Sequence, residues 1–199
     1  MSAVKQLNTI SVEDYLVGEL VSQVKHEYFG GVVYAMAGGR NAHNVIAGNI
    51  YGLLHARLRG RRCSPFNSDT KIRVQLPTHT RFYYPDVSVV CSSNPQDDSF
   101  QDQPVAIFEV LSRSTRLTDG VEKRDAYLTI PSLRVYALVE QETAVVLLYR
   151  RTDQGFVREA YDDLKAVIPL PEIETELPLA EVYEGVEFSA EAPEDPHQM

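Results

Sequence analysis

Cysteine is scarce in this chain of 199 residues, and its two cysteines, Cys63 and Cys91, lie far apart with no CxxC pair. A thiolate zinc site and a disulfide framework both need more cysteines at characteristic spacings, so the sequence disfavours both. We therefore expect two free thiols, one of them buried in a strand.

Long apolar runs are missing as well. No stretch approaches the roughly 20 residues that a transmembrane helix requires, so we expect no membrane contact. Residues 1–7 lack the apolar segment of a secretory signal, and we therefore expect a cytoplasmic protein. Hydrophobic residues make up 44% of the chain and charged residues 24%, as in an ordinary globular domain. We expect one domain over residues 1–188 and an acidic tail at 189–199 with too little apolar surface to fold.

Several familiar motifs are also absent. The chain has no GxxxxGK[ST] and no GxGxxG, which argues against a P-loop and a dinucleotide-binding domain. Ser112 and Ser114 have neither the glycines of a nucleophile elbow nor a nearby histidine base, which argues against a serine hydrolase. Four histidines show no metal-ligand spacing, namely His26, His55, His79 and His197.

A basic excess is lacking too, since the net charge is −9. Dedicated nucleic-acid binders usually carry a basic excess, so the total charge argues against that class. The distribution of charge matters more than its sum, however, and four arginines cluster in one short stretch. They are Arg57, Arg59, Arg61 and Arg62. The cluster allows a local basic face, although the dipole at a helix C-terminus also favours arginines.

Hydrophobic patterning predicts three helices and a hairpin. Ser11 followed by Asp14 indicates a helix start with an apolar face that includes Tyr15 and Leu20. Gly30-Gly31 indicates the turn of a hairpin over residues 25–34. Helical periodicity predicts two more helices, at 41–58 and at 119–130, the latter ended by Pro131.

Apolar and alternating segments predict the strands of the sheet. Ile72, Val74 and Leu76 alternate with polar residues, which is typical of a half-buried strand. Other segments are continuous and β-branched, as in strands buried on both faces. The expected strands are 70–76, 86–91, 105–111, 133–139 and 144–150, with weaker candidates at 156–161 and 166–170. This order of elements predicts an α/β fold in which a mixed sheet carries a helix on each face.

Two acids, Asp86 and Glu109, each lie on an otherwise apolar strand. Burying an ionised carboxylate costs several kcal/mol unless a partner compensates, and a divalent ion compensates two at once. If the strands are neighbours in one sheet, about 4.8 Å apart, the two carboxylates can converge on one ion. Mg²⁺ typically binds through one or two carboxylates, water and phosphate oxygens, so the pair predicts such a site.

Lys123 is the expected cationic partner of the acid pair. On the predicted helix, Asp119, Lys123 and Tyr127 share one face at a spacing of four residues. If that face packs toward the sheet, the Lys123 ammonium can stabilise charge that develops on a scissile phosphate. Glu27, His43 and Asp69 are further candidates, as outer groups of the site or as a second metal position.

An ordered set of short motifs runs from about Val12 to Glu184. It comprises His26-Glu27-Tyr28 with Gly30-Gly31, His43, Asp69 before Lys71-Ile72-Arg73-Val74, Tyr84-Pro85-Asp86, Glu109-Val110-Leu111-Ser112, Ser114-Thr115, Asp119, Lys123, Tyr127, Pro131, Tyr136 and Val139. With this set the chain resembles the bacterial Uma family of restriction-endonuclease-like proteins. The resemblance implies the PD-(D/E)XK nuclease fold.

The resemblance also implies roles for individual residues. Asp86 and Glu109 fill the two acidic positions of the nuclease pattern, whereas the position of its lysine holds Leu111. The family places a lysine on the next helix instead, at Lys123. We expect a restriction-endonuclease-like core that hydrolyses phosphodiester bonds in DNA with Mg²⁺ or Mn²⁺. Asp86, Glu109 and a backbone carbonyl near Val110 would hold the ion, and Lys123 and Glu27 would complete the catalytic group.

Simpler interpretations remain open at this point. Pro85-Asp86 is also a common turn before a strand, Glu109 is compatible with an edge strand, and Lys123 with a solvated helix face. The main alternative function is a catalytically silent binding or assembly module that keeps the nuclease fold, which the acidic charge and Leu111 favour. A third is a metal-dependent hydrolase of another phosphate ester. A homodimer is also expected, because two symmetric sites can cut two strands.

Overall fold

The computed structural model describes residues 9–36, 38–112 and 118–188, and only the backbone of residues 118–120. The predicted acidic tail at 189–199 lies outside the described residues. Four α-helices are present in the described part: α1 (Val12–Val21), α2 (Asn41–Leu58), α3 (Arg124–Tyr127) and α4 (Leu179–Val182). A π-helical segment, Thr118–Lys123, leads into α3, and a 3₁₀ turn spans Pro171–Ile173.

Thirteen strands are present in the same described ranges. They are β1 (His26–Phe29), β2 (Val32–Ala35), β3 (Ser64–Asn67), β4 (Lys71–Gln75), β5 (Thr80–Tyr83), β6 (Val87–Val90), β7 (Phe100–Gln101), β8 (Pro104–Leu111), β9 (Val135–Glu140), β10 (Val146–Thr152), β11 (Gly155–Tyr161), β12 (Val167–Leu170) and β13 (Thr175–Pro178). All seven predicted strands are confirmed, while β3, β5, β7 and β13 were not predicted.

The two N-terminal helices begin where the sequence predicts. The Ser11 hydroxyl caps α1 by accepting a hydrogen bond from the Asp14 amide at 3.0 Å. Tyr15 is the buried residue of α1, whereas Leu20 is 73% exposed, so the predicted apolar face is only partly covered. In α2, four residues at helical spacing are buried: Ile46, Ile50, Leu54 and Leu58. Each such burial contributes roughly 1.5–3 kcal/mol to folding.

Two larger sheets and a small hairpin replace the expected single sheet. The six-stranded sheet has the order β11-β10-β9-β8-β6-β3, and the five-stranded sheet has the order β2-β1-β5-β4-β7. Strands β12 and β13 form a separate hairpin. Within the six-stranded sheet only β8 and β9 are parallel, so the sheet is mixed as predicted.

Both faces of the six-stranded sheet are covered. On one face, α2 packs on a core that includes Val87, Phe108 and Val110. On the other face, a second core joins Ile107 and Leu111 to residues of the five-stranded sheet and α3, including Ile72, Tyr83 and Tyr127. Glu109 lies on this second face because alternate residues of a strand point the same way.

The expectation of two free thiols is wrong, because Cys63 and Cys91 form a disulfide. The cause is strand pairing, because β3 and β6 are antiparallel with Ser64 opposite Val90. Cys63, which precedes Ser64, therefore lies opposite Cys91, which follows Val90. The bond joins the residue before β3 to the residue after β6, at the β3 edge of the sheet. No described helix is long and apolar enough to cross a membrane.

Three arginines of the cluster at the end of α2 donate hydrogen bonds within the fold, since Arg62 donates to the Cys91 carbonyl at 3.3 Å in addition to the contacts of Arg57 and Arg61. Arg57 donates to the backbone carbonyl of Glu176 and to the Glu181 carboxylate, the latter at 3.0 Å. Arg61 donates to the carbonyl of Glu174 at 2.6 Å. The contacts of Arg57 and Arg61 tie α2 to the β12–β13 hairpin.

Candidate functional site

The acid pair is brought together by the register of two neighbouring strands. Strands β6 and β8 are antiparallel, with Val87 opposite Phe108. Asp86 immediately precedes β6, so this register places it beside Glu109, and the Asp86 amide lies 3.4 Å from Glu109 Oε2. The two strands are neighbours in one sheet, which is the condition on which the predicted acid pair depends.

The Asp86 carboxylate is held from two directions. The Val110 amide donates to Asp86 Oδ2 at 2.7 Å. His43 Nε2, in the first turn of α2, lies 3.2 Å from the same oxygen. Because both contacts fall on Oδ2, the orientation of the carboxylate is fixed by groups from β8 and α2 together.

Lys123 ends the π-helical segment and connects the two sheets. Its ammonium lies 2.7 Å from Glu27 Oε1, which comes from β1 of the five-stranded sheet. The same ammonium lies 3.8 Å from Glu109 Oε1 in the six-stranded sheet. All three residues are buried, with 6%, 8% and 2% of their surface exposed for Lys123, Glu27 and Glu109. Buried charges of this kind require compensation, and here one cation lies between two carboxylates.

The position where the nuclease pattern has its lysine holds Leu111, which is part of the apolar core. Leu111 lies on the same face of β8 as Glu109 and packs in the core with Tyr127. Lys123 lies one turn before Tyr127 and brings its ammonium to 3.8 Å from Glu109 Oε1. Burial raises the pKa of the Tyr127 hydroxyl well above its usual range, and the Glu109 and Glu27 carboxylates raise it further. The side chain of Asp119, the other member of the predicted helix face, lies outside the described part of the chain.

A cleft of about 830 Å³ contains this group. Its walls include Glu27, His43, Asp86, Glu109, Val110 and Lys123. Among the described residues there is no cluster of three or more His, Cys, Asp or Glu side chains placed to hold a metal ion. Mg²⁺ does not need such a cluster, since it keeps several waters and takes one or two carboxylates. The two carboxylates of Asp86 and Glu109 therefore fit this ion better than Zn²⁺, which takes three or four protein ligands.

Asp69 does not join the acid pair. Its carboxylate lies 2.5 Å from the ammonium of Lys25, which holds the pKa of Asp69 below its usual range. Lys25 also lines the cleft, so this ion pair lies at the rim of the site.

Sequence reasoning missed a polar network beside the acid pair. The Tyr84 hydroxyl donates to Glu19 Oε2 at 2.8 Å and accepts from the Lys71 ammonium at 3.2 Å. Burial lowers the pKa of Lys71, and burial raises that of Tyr84. Lys71 was predicted to be a polar, solvent-facing position of an alternating strand, and no local pattern distinguishes it from a solvated lysine.

The comparisons with known proteins agree on a family and a fold. A family model, Uma2, described as "Putative restriction endonuclease", matches residues 12–180. Two uncharacterized proteins of Synechocystis are similar. The protein slr1290 is 37% identical over 147 residues, covering 73% of this chain and 76% of that protein. The protein sll1609 is 31% identical over 144 residues, covering 71% of this chain and 80% of that protein.

A solved structure supports the same architecture. It is described as a putative nuclease belonging to DUF820 from Anabaena variabilis and matches with a TM-score of 0.66. The match covers 81% of this chain and 91% of that chain at 17% identity, so it shows the fold alone.

Proposed function

The chain belongs to the Uma2 family of restriction-endonuclease-like proteins, and from this premise we propose that it is a metal-dependent endonuclease that hydrolyses phosphodiester bonds in DNA. One observation carries the proposal: Asp86, Glu109 and Lys123 line one cleft, with the ammonium 3.8 Å from a Glu109 oxygen. Two acids and a lysine are the groups that the nuclease pattern requires.

Asp86, Glu109 and the carbonyl of Val110 would hold Mg²⁺ or Mn²⁺. The divalent ion supplies charge neutralisation at the scissile phosphate and lowers the pKa of a water molecule. The contacts of Asp86 with the Val110 amide and His43 support this role, because they hold the carboxylate in place before any ion arrives. A carboxylate held in this way does not have to be reoriented when the ion binds.

Lys123 would supply the cation that acts on the substrate. Its ammonium donates toward the phosphate oxygens and stabilises the negative charge that develops there during attack by water. Glu27 holds that ammonium at 2.7 Å and so keeps it in the cleft. In this proposal Glu27 acts through Lys123, and it takes no part in holding the ion.

Cleavage of supercoiled plasmid DNA tests the proposal. We expect Asp86→Asn and Glu109→Gln to abolish cleavage that depends on Mg²⁺ or Mn²⁺, because each removes an anionic ligand without changing side-chain size. Glu174→Gln is the matched control, since its side chain is 85% exposed and lies outside the cleft. Full activity in both site variants would refute the proposal. Parallel assays on single-stranded DNA and on nucleotide monoesters distinguish a nuclease from a hydrolase of other phosphate esters.

The second candidate is a binding or assembly module without catalytic activity. Leu111 favours it, because the position where the nuclease pattern has its lysine is part of an apolar core. Calorimetric titration with Mn²⁺ separates the two. Saturable binding that is lost in Asp86→Asn supports the enzyme, whereas no binding at millimolar Mn²⁺ supports the module.

The proposed enzyme would act as a two-fold dimer, because each of two symmetric sites could then cut one strand of a duplex. Sedimentation velocity of the full chain measures this assembly directly. A monomer at assay concentrations would restrict the proposal to nicking of one strand at a time.

A further inference from the structure

The cations at the cleft do not outnumber its carboxylates. Among the described residues that line it, Lys25, Arg40 and Lys123 are cations and Glu27, Asp86 and Glu109 are carboxylates, and the full chain carries a net charge of −9. Lys123 lies against two of these carboxylates. Because DNA carries a charge on every phosphate, binding needs further cations beside the scissile position.

Lys25 lies at such a position. It lines the cleft, and its ammonium lies 5.7 Å from the centre of the Tyr84 ring. Tyr84 comes two residues before Asp86, and its backbone amide lies 3.4 Å from Glu27 Oε1. Lys25 is therefore close to the acid pair but outside it.

The present partner of Lys25 is exposed and easily exchanged. The ammonium lies 2.5 Å from Asp69 Oδ1, with 40% of the Lys25 side chain and 69% of the Asp69 side chain exposed. It also donates to the Ser68 carbonyl at 2.9 Å, which orients the lysine side chain whether or not Asp69 is engaged. An ion pair as exposed as this contributes little to folding, so its opening is inexpensive. A phosphodiester presents the same anionic oxygens as a carboxylate and can take its place.

We propose that Lys25 binds a backbone phosphate of the DNA next to the scissile one, and that Asp69 is an internal anion that competes for the same ammonium. The inference rests on the proposed function, because it takes DNA as the ligand of the cleft. Asp69 thus weakens DNA binding without touching DNA.

Fluorescence anisotropy with a 20-base-pair duplex tests both parts. Binding is measured over a series of salt concentrations with the full chain, in EDTA so that no cleavage occurs. Lys25→Gln should reduce the slope of log K against log salt by about 0.9, the contribution of one phosphate contact. Lys165→Gln, which removes an exposed lysine outside the cleft, should leave the slope unchanged.

Asp69→Asn tests the competition. It should raise DNA affinity several-fold more than Glu174→Gln, which removes an equal charge from an exposed position. The extra gain should vanish when Asp69→Asn is combined with Lys25→Gln, because the competed ammonium is then absent. Both Lys25 and Asp69 are exposed enough that the variants should fold, which thermal melts followed by circular dichroism verify.

Each result bears on a different statement. A wild-type chain that does not bind the duplex overturns this inference, whereas the proposed function is tested separately by metal-dependent cleavage of plasmid DNA. Binding with the same salt slope in Lys25→Gln and Lys165→Gln overturns only the phosphate contact. A gain from Asp69→Asn that persists in the Lys25→Gln background overturns only the competition.

Discussion

Replacing Lys123 by methionine should destabilise the fold as well as the site. The ammonium is 2.7 Å from Glu27 and 3.8 Å from Glu109, and the three side chains are only 8%, 11% and 3% exposed for Lys123, Glu27 and Glu109. Methionine keeps most of the lysine volume, so the change removes the charge with little loss of packing. Two buried carboxylates then lose their common cation.

The expected magnitude follows from the burial of this group. Removing one partner of a buried ion pair typically lowers stability by about 3–5 kcal/mol. For a chain of this length, that loss corresponds to a fall in melting temperature of roughly 6–20 °C. The matched control is Lys25→Met, which breaks an ion pair whose side chains are 40% and 69% exposed. Exposed pairs contribute only about 0–1 kcal/mol, so this control should melt within a few degrees of the wild type.

Urea unfolding followed by circular dichroism measures both variants. A double variant, Lys123→Met with Glu27→Gln, should recover part of the lost stability, because it removes one of the two buried carboxylates that have lost this cation. A loss below 1 kcal/mol in Lys123→Met, equal to that of Lys25→Met, would refute the reasoning that the three buried charges depend on one another.

Three further predictions concern the rest of the fold. Thiol titration in denaturant should find no free thiol without reductant and two free thiols with reductant. Cys63→Ser should lower the free energy of unfolding by roughly 3–4 kcal/mol, because it removes a disulfide that spans 28 residues. Hydrogen bonds from Arg150 hold the pKa of Glu159 below its usual value of 4.5. The ionised Glu159 carboxylate therefore contributes to stability above pH 4.5, and this contribution is lost as the pH falls below 4.5. The stability of Glu159→Gln should therefore depend less on pH between about pH 4.5 and 3 than that of the wild type, as acid unfolding measures. Ile50→Ala, at a residue only 1% exposed, should lower stability by about 2–5 kcal/mol in urea titrations, and a smaller loss would mean that α2 packs loosely.

Local sequence patterns predict where the helices and strands of this fold lie better than they predict which strands pair with each other. The apolar spacing of α2 predicts its full range, and the Ser11 cap predicts the start of α1, because both depend on residues within one or two turns. The division into two sheets depends on which strands pair across long stretches of sequence. The unpredicted strands β3, β5, β7 and β13 span only two to four residues each, too few for an alternating pattern to stand out.

The same distinction applies to the site. Asp86 and Glu109 can be recognised because each interrupts an apolar strand, where an ionised carboxylate requires a compensating partner. The contact of Glu27 with Lys123 joins residues almost a hundred positions apart, and no local spacing encodes it. The disulfide was mispredicted for a related reason: Cys63 meets Cys91 only because β3, a strand that the patterning did not reveal, pairs with β6.

The attachment of Glu27 to a different sheet from Asp86 has a consequence for native-state fluctuations. Small cooperative units of a protein open independently of the rest, and a hairpin such as β1–β2 at the edge of a sheet is a natural unit of this kind. Opening of that hairpin would remove Glu27 while β6 and β8 stay paired. Amide hydrogen exchange at Tyr28 would then report how often a folded molecule is without the ion pair between Glu27 and Lys123.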